Sequence, residues 1–244
     1  MFKFPVNLVL THLFHSKIAS DSILSAMQKT VKTPELLEII QEAKTEKTTF
    51  NYDVLENLRK LVPVFFGIRV IEGFEYLKLS RIGAKLGNLE KVSTCDVKIG
   101  KVFYDPDADE KKVLGQTAGK NYWPVRTEMG YQFQGISLFS ETGIVRYEKT
   151  KLTNEVTKIE DSRIPIDYFF PESLSSVKLE NIVEGILTKL NEIIKFFEHI
   201  NNCVQFYASS VLIVYDAETC DCDVKMIDFA HVFYEKEFKD ENYS

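Results

Sequence analysis

The chain has no apolar run of about 18 residues, the length a membrane-spanning helix needs, so no membrane span is expected. Its first residues, MFKFPVNLVLTHLF, are apolar but broken by Pro5 and His12, and no small-residue cleavage site follows. A strand is expected there, not a signal peptide. Cysteine is sparse: four in 244 residues, at Cys95, Cys203, Cys220 and Cys222. The C-x-C spacing of Cys220 and Cys222 is too close for an easy disulfide, and no histidine cluster accompanies it to make a metal site. Free thiols in a reducing compartment are expected, with a cytoplasmic or nuclear location. An excess of positive charge is missing as well. Lys and Arg number 30 against 36 Asp and Glu, a net charge of −6, and the sequence pI is about 5.4. That argues against general nucleic-acid binding, so any anionic ligand must be held by locally placed lysines. There is no G-x-G-x-x-G loop and no H-R-D run, which disfavours a protein kinase.

What remains is ordinary globular material, 45% hydrophobic and 27% charged, long enough for two lobes sharing a cleft. Residues 1–33 read as a small β unit whose second strand ends in Lys29 and Lys32. Pro34 opens a helical pattern that breaks around Thr45–Asn51 and resumes to Leu61, where Pro63 stops it. VFFGIRVIEGFEYLKLS reads as a hairpin turning at Glu72-Gly73. The Gly-interrupted SRIGAKLGNLEK is the candidate linker, with Ser80 and Ile82 as the positions for main-chain contacts to a purine. Three parts are therefore expected: 1–79, a hinge at 80–91, and 92–244.

Within Val92–Ala108, Asp96 and Lys98 alternate along a short β-like run that Gly100 ends. Alternation places both on one strand face. A phosphate-handling surface and a plain surface ion pair both fit that pattern. Lys111 and Lys112 begin a short helix and Lys120 follows, all amid Asp105, Asp107, Asp109 and Glu110, so a solvated mixed-charge surface fits equally. GYQFQGISLF and GIVRYEK read as two strands. SSVKLENIVEGILTKLNEIIKFFEHI keeps the 3.6-residue period of a core helix. Near the end, two strands flank a polar loop. The first starts at Ser209-Ser210 and the second runs out through Asp228-Phe229-Ala230-His231. A carboxylate leaving a strand in that way can hold Mg²⁺ against nucleotide phosphates.

These elements together resemble the inositol polyphosphate kinase family. Asp96-Val97-Lys98-Ile99-Gly100 resembles its P-x-x-x-D-x-K-x-G signature, Ser209-Ser210-Val211-Leu212 its S-S-L-L motif, and Ile227-Asp228-Phe229-Ala230-His231 its I-D-F-A-H motif. Tyr104-Asp105-Pro106 followed by Ala108 also looks familial. The likeness runs in family order from about Gln28 to the end. It implies an α+β, two-lobed, protein-kinase-like fold related to ATP-grasp enzymes, with antiparallel sheets and a short helical inositol-phosphate-binding segment at 105–127.

The resemblance also implies roles. Asp228 would hold Mg²⁺ with Ser210 close by. Lys98 would contact both the γ-phosphate of ATP and the attacked inositol group. Asp96 would either clamp the ribose hydroxyls or act as a base. Lys29 would reach the α/β-phosphates with Glu46 behind it, and Lys112, Lys120 and His231, then Lys101 and Lys111, would bind the inositol phosphate. Several positions depart from the pattern. Val92 replaces the signature proline, Val211 a leucine, and Gln132 stands where an arginine is common. The family's K-x-x-G-R is not recognisable near Arg146–Lys151, so nothing is carried over there. The expectation is an ATP- and Mg²⁺-dependent kinase, a monomer, acting on inositol hexakisphosphate to give a diphosphoinositol. The alternatives are a trisphosphate kinase or multikinase acting on a free hydroxyl, and an inactive inositol phosphate sensor.

Overall fold

The computed structural model describes residues 30–31, 52–72, 74–86, 91–104, 106–118, 123, 125–140, 142–201 and 204–234. Lys29, Glu46, Asp105 and Lys120, and the strand and helix expected before Asn51, lie outside them. The first elements are β1 (Thr30–Val31), α1 (Tyr52–Leu61), β2 (Phe65–Ile71) and β3 (Phe74–Leu79). β4 (Val92–Ile99), α2 (Glu110–Thr117), α3 (Val125–Met129), β5 (Tyr131–Ser140) and β6 (Gly143–Glu148) follow. Next come α4 (Lys149–Glu155), a 3-10 turn (Ile159–Ser162), α5 (Arg163–Phe169), and α6 (Ser176–Lys195), which runs into a π-helical turn (Phe196–Ile200). The chain closes with β7 (Val204–Tyr207), β8 (Ser210–Asp216), β9 (Cys222–Ile227) and β10 (His231–Tyr234).

The centre is a five-stranded antiparallel sheet in the order β6-β5-β4-β8-β9. Alternation in β4 divides its two faces. Ser93, Cys95, Val97 and Ile99 are buried, while Thr94, Asp96 and Lys98 are only partly covered. Val211, Ile213 and Tyr215 of β8 are buried too, and Tyr215 donates its hydroxyl to the Phe169 carbonyl of α5 at 2.7 Å. α6 packs on β9 through Ile182, Val183, Ile186, Leu190 and Ile193, capped by the Ser175 hydroxyl, which accepts from the Lys178 amide. Fully burying each of these side chains stabilises by about 1.5–3 kcal/mol, so the apolar face of the sheet, not its polar face, holds the fold.

Three smaller features set the surroundings. α1 packs against the π-helical turn with Leu58 fully buried, and Lys225 of β9 donates to the Lys60 carbonyl at the end of α1. The β2–β3 hairpin is as expected, and exposes Phe66, Val70 and Phe74. β1 pairs with β10, which pairs with β7, in a three-stranded sheet. Thr30–Val31 therefore pairs with β10, in the last of the three expected parts, although it falls within the first. No helix among the described residues is long and apolar enough to cross a membrane. Cys95, Cys220 and Cys222 are free thiols.

One boundary differs from the sequence reading. The last motif is not one continuous strand: β9 ends at Ile227, Asp228 takes a positive φ of 63°, and His231 opens β10 in the other sheet. A similar break at Ala208, φ 54°, separates β7 from β8. A left-handed residue turns the chain sharply, and these two turns lie side by side.

Candidate active site

Strand register assembles the site. Lys98 pairs with Ser210 on one side and Gln132 on the other; Asp96 pairs with Leu212 and Gly135. Ser210 pairs in turn with Ile227, one residue before Asp228. Directly paired residues share a sheet face. Asp96, Lys98, Ser210 and Leu212 therefore stand on the face opposite the buried core. Ser209 locks the two turns together. Its hydroxyl donates to the Asp228 carbonyl at 2.9 Å, and its own carbonyl accepts from the Ile99 amide at 2.9 Å. Asp228 itself is exposed.

Burial sets Asp96 apart from a plain surface ion pair. Burial pushes the Asp96 carboxyl above its ordinary value; the nearby Ser210 hydroxyl opposes that, the Asp228 carboxylate adds to it, and Lys98 opposes it. Asp96 Oδ1 and Ser210 Oγ are both buried with no hydrogen-bond partner, so the hydroxyl stands beside the carboxylate without bonding geometry. Buried polar atoms without partners are costly. Two carboxylates within reach of each other, with an unsatisfied hydroxyl between the strands, fit a divalent cation that takes one or two carboxylates and fills its other positions with water and phosphate oxygens. No group of three or more His, Cys, Asp or Glu side chains gathered to hold a metal occurs among the described residues.

The raised Asp96 titration has a measurable consequence. In the folded state the ionised form is disfavoured, so ionised Asp96 costs stability at neutral pH. Asp96→Asn is expected to raise Tm at pH 7, by about 2–4 °C for each kcal/mol of repulsion and desolvation relieved. The gain should shrink to nothing as pH falls below about 4, where the wild-type carboxyl is protonated in both states. Thermal scans from pH 4 to pH 8 check this. A variant less stable than wild type at pH 7 contradicts it.

Cations occupy the other half of the site. Lys112 Nζ lies 3.4 Å from His231 Nε2, joining α2 to β10. The start of α2 is fixed by Asp109, whose carboxylate accepts from the Lys112 amide at 2.6 Å. Lys111 is exposed and Lys101 half-buried. In the linker, the Ser80 amide donates to the Val64 carbonyl and its hydroxyl accepts from the Val64 amide, both at 2.8 Å. Of the Ser80 main chain, only the carbonyl is left for a ligand. Ile82 begins a turn that docks on the sheet, where the Gly83 amide donates to Asp223 at 3.3 Å.

Two cations escaped the sequence reading. Arg126 is buried, and its guanidinium covers the Phe103 ring at 4.3 Å; Lys98 Nζ is 5.7 Å from the same ring. Lys149, first residue of α4, is solvent-exposed over its surface as a whole, and partial desolvation, then Lys98 and Arg126, push its ammonium below the usual lysine range. Nothing local marks either residue. Arg126 looks like a solvated charge until the fold buries it beside Phe103.

The profile of the family described as "Inositol polyphosphate kinase" matches residues 85–244. "Inositol polyphosphate multikinase alpha" of Arabidopsis thaliana is 24% identical over 206 residues, 77% of this chain and 71% of that protein. "Inositol polyphosphate multikinase" of Homo sapiens is 30% identical over 184 residues, 72% of this chain but 41% of that longer protein. Among solved structures, one described as "Structural Studies and Protein Engineering of Inositol Phosphate Multikinase" superposes with a TM-score of 0.62 at 22% identity, over 84% of this chain and 91% of that one. Another, "Inositol Phosphate Multikinase Ipk2 in complex with ADP and Mn2+ from S. cerevisiae", gives a TM-score of 0.62 at 16% identity over 88% and 92%. Together these two establish the kinase-like mixed fold of helices and antiparallel sheets.

Proposed function

The chain belongs to the inositol polyphosphate kinase family, and from that premise we propose that it transfers the γ-phosphate of ATP to a free hydroxyl of an inositol polyphosphate, as a multikinase. This replaces hexakisphosphate as the preferred acceptor. The relatives at 24% and 30% identity are named multikinases, and the D-x-K-x-G, S-S and I-D-F-A-H motifs do not distinguish a phosphate oxygen from a hydroxyl as nucleophile.

The observation that carries the reading is the division of the sheet's polar face. Asp96, Ser210 and Asp228 gather on the β8–β9 side, Lys98, Lys112, Arg126 and Lys149 supply the cations, and His231 stands beside Lys112. The carboxylates suit a metal–nucleotide and the cations suit a multiply phosphorylated acceptor. Bound there, Mg²⁺ supplies charge neutralisation on the nucleotide phosphates. The protein's own contribution is placement. Lys98 stands between the two halves and holds the transferring phosphoryl against the acceptor. Ser209 fixes the turn from which Asp228 projects, and Leu212 offers an apolar floor beside Asp96.

Incubation with ATP, Mg²⁺ and a panel of inositol tris-, tetrakis- and hexakisphosphates, resolved by anion-exchange chromatography, tests this. The tris- and tetrakisphosphates should be consumed first. Turnover of hexakisphosphate alone would restore the diphosphoinositol reading. No turnover of any acceptor, with ATP still bound, would favour a sensor.

A further inference from the structure

Across from the site, β5 carries one residue more than β4. Gln132 pairs with Lys98 and Phe133 with Val97, and the next paired residue is Gly135, opposite Asp96. Gln134 is left over, the extra residue of a β-bulge. A regular strand places one outward residue between two inward ones. Here Phe133 and Ile136 are buried, and the two consecutive residues between them, Gln134 and Gly135, are half-buried. Both therefore belong to the site face. Gln134 is two residues on from Gln132, which pairs with Lys98, and Gly135 pairs with Asp96. Bulges concentrate beside active sites, where they re-aim a side chain. In a regular ladder Gln134 would itself stand opposite Asp96 and fill that place. With the bulge, Gly135 stands there instead. Beyond its chain neighbours, a Cβ built on Gly135 meets nothing closer than the Tyr147 carbonyl oxygen at 3.7 Å, so room is left over Gly135 next to Asp96.

The two glutamines of this face are held differently. Gln132 is 3% exposed, and its Nε2 donates to the Thr153 hydroxyl at 3.2 Å, tying the sheet to α4. Gln134 Nε2 donates to the Gln132 carbonyl at 3.4 Å, the long end of the hydrogen-bond range. The Gln134 side chain makes no other hydrogen bond among the described residues. Its amide therefore keeps a second N–H and an oxygen with two lone pairs, and can donate and accept at one place. A hydroxyl has the same double capacity, whereas an ionised phosphate only accepts. The neighbour sharpens that difference. A phosphate over Gly135 would stand against the Asp96 carboxyl and be repelled by its ionised form, while a hydroxyl can donate to it.

We propose that Gln134 is a specificity-determining residue, which binds a non-reacting hydroxyl of the acceptor in the space over Gly135, between Asp96 and Lys98. The identity of the acceptor as an inositol polyphosphate rests on the function proposed above. The contact itself requires only a polyol phosphate with an unesterified hydroxyl. Lys98 remains the group at the transferring phosphoryl, and Gln134 takes no part in bond making. It decides which acceptors seat: one that still carries a hydroxyl at this position is held, and one esterified there is not.

The test is calorimetric titration of the full chain, without ATP, with inositol 1,4,5-trisphosphate, which keeps hydroxyls, and with inositol hexakisphosphate, which has none. Gln134→Met removes the amide and keeps the length of the side chain. It is expected to weaken trisphosphate binding about fivefold, the scale of one lost neutral hydrogen bond, with Tm within about 2 °C of wild type. Hexakisphosphate should bind variant and wild type equally, or neither. In turnover, kcat/KM for the trisphosphate should fall by a similar factor while the KM for ATP stays unchanged. Undiminished trisphosphate binding by Gln134→Met overturns the proposal. So does an equal loss for both ligands, the mark of a merely structural residue, or no trisphosphate binding by wild type. If the binding pattern holds yet wild type phosphorylates no acceptor, the hydroxyl contact stands and the proposed function fails.

Discussion

Asp228→Asn is expected to slow phosphoryl transfer by about 10³-fold or more, with the fold intact, on the scale of removing a group that stabilises transition-state charge. Asparagine is the right replacement because of the backbone. Asp228 has a φ of 63°, a conformation asparagine tolerates better than most residues, so lost activity is not confounded with strain. The bond that positions this turn runs from the Ser209 hydroxyl to the Asp228 carbonyl and survives the substitution. Losing the carboxylate also removes a charge that pushes the Asp96 carboxyl up. Stability should therefore hold or rise while activity falls, and measuring kcat and Tm on one preparation separates the two. Near-wild-type kcat would mean that Asp228 does not hold the metal.

Lys98→Met is the second large effect. The substitution keeps an unbranched apolar stem in β4 beside Phe103 and removes only the ammonium. Because Lys98 pairs with Ser210 and Gln132 at the middle of the sheet face, its charge sits between the carboxylate half and the cationic half of the site. A fall in kcat of about 10²–10³-fold at saturating ATP is expected, the range for one preorganised charge acting in the transition state. The effect should appear in kcat and kcat/KM together, the signature of a contact made in the transition state and not in binding alone. Lys98→Arg should recover little, since a planar, longer guanidinium does not reproduce a point charge. A change confined to acceptor KM would make Lys98 a binding residue only. Losing Lys98 also removes a positive charge that favours the ionised Asp96 carboxylate, so Asp96 should become harder to ionise in this variant.

Much of this was legible in the sequence because it depends on short periods. The alternation of Asp96 and Lys98 against Cys95 and Val97, the spacing of Ile182, Ile186, Leu190 and Ile193, and the two apolar runs read as a hairpin each fit one element, and each element is there. The order of the D-x-K, S-S and I-D-F-A-H stretches pointed to the family. What stayed hidden depends on distance along the chain. β1 pairs with β10 across some two hundred residues, which no local pattern encodes. The helices between Lys149 and Phe169 were not read either: α4 buries only Leu152, so tertiary packing and not amphipathicity makes it a helix. Arg126 and Lys149 were missed for the same reason. A cation is classed as solvated until its surroundings are known, and theirs are assembled from three separate stretches of chain. The end of β9 was misplaced because nothing in Ile227-Asp228-Phe229 signals a left-handed turn; only the Ser209 bond explains it.

The most direct test of the central claim is the phosphorus NMR spectrum of a reaction containing the full chain, ATP, Mg²⁺ and inositol 1,4,5-trisphosphate. The account predicts ADP and a new phosphomonoester on the inositol in equal amounts, both absent without the acceptor and both lost in Asp228→Asn. ADP formed with inorganic phosphate and no new inositol ester, or a reaction unaffected by Asp228→Asn, would contradict it.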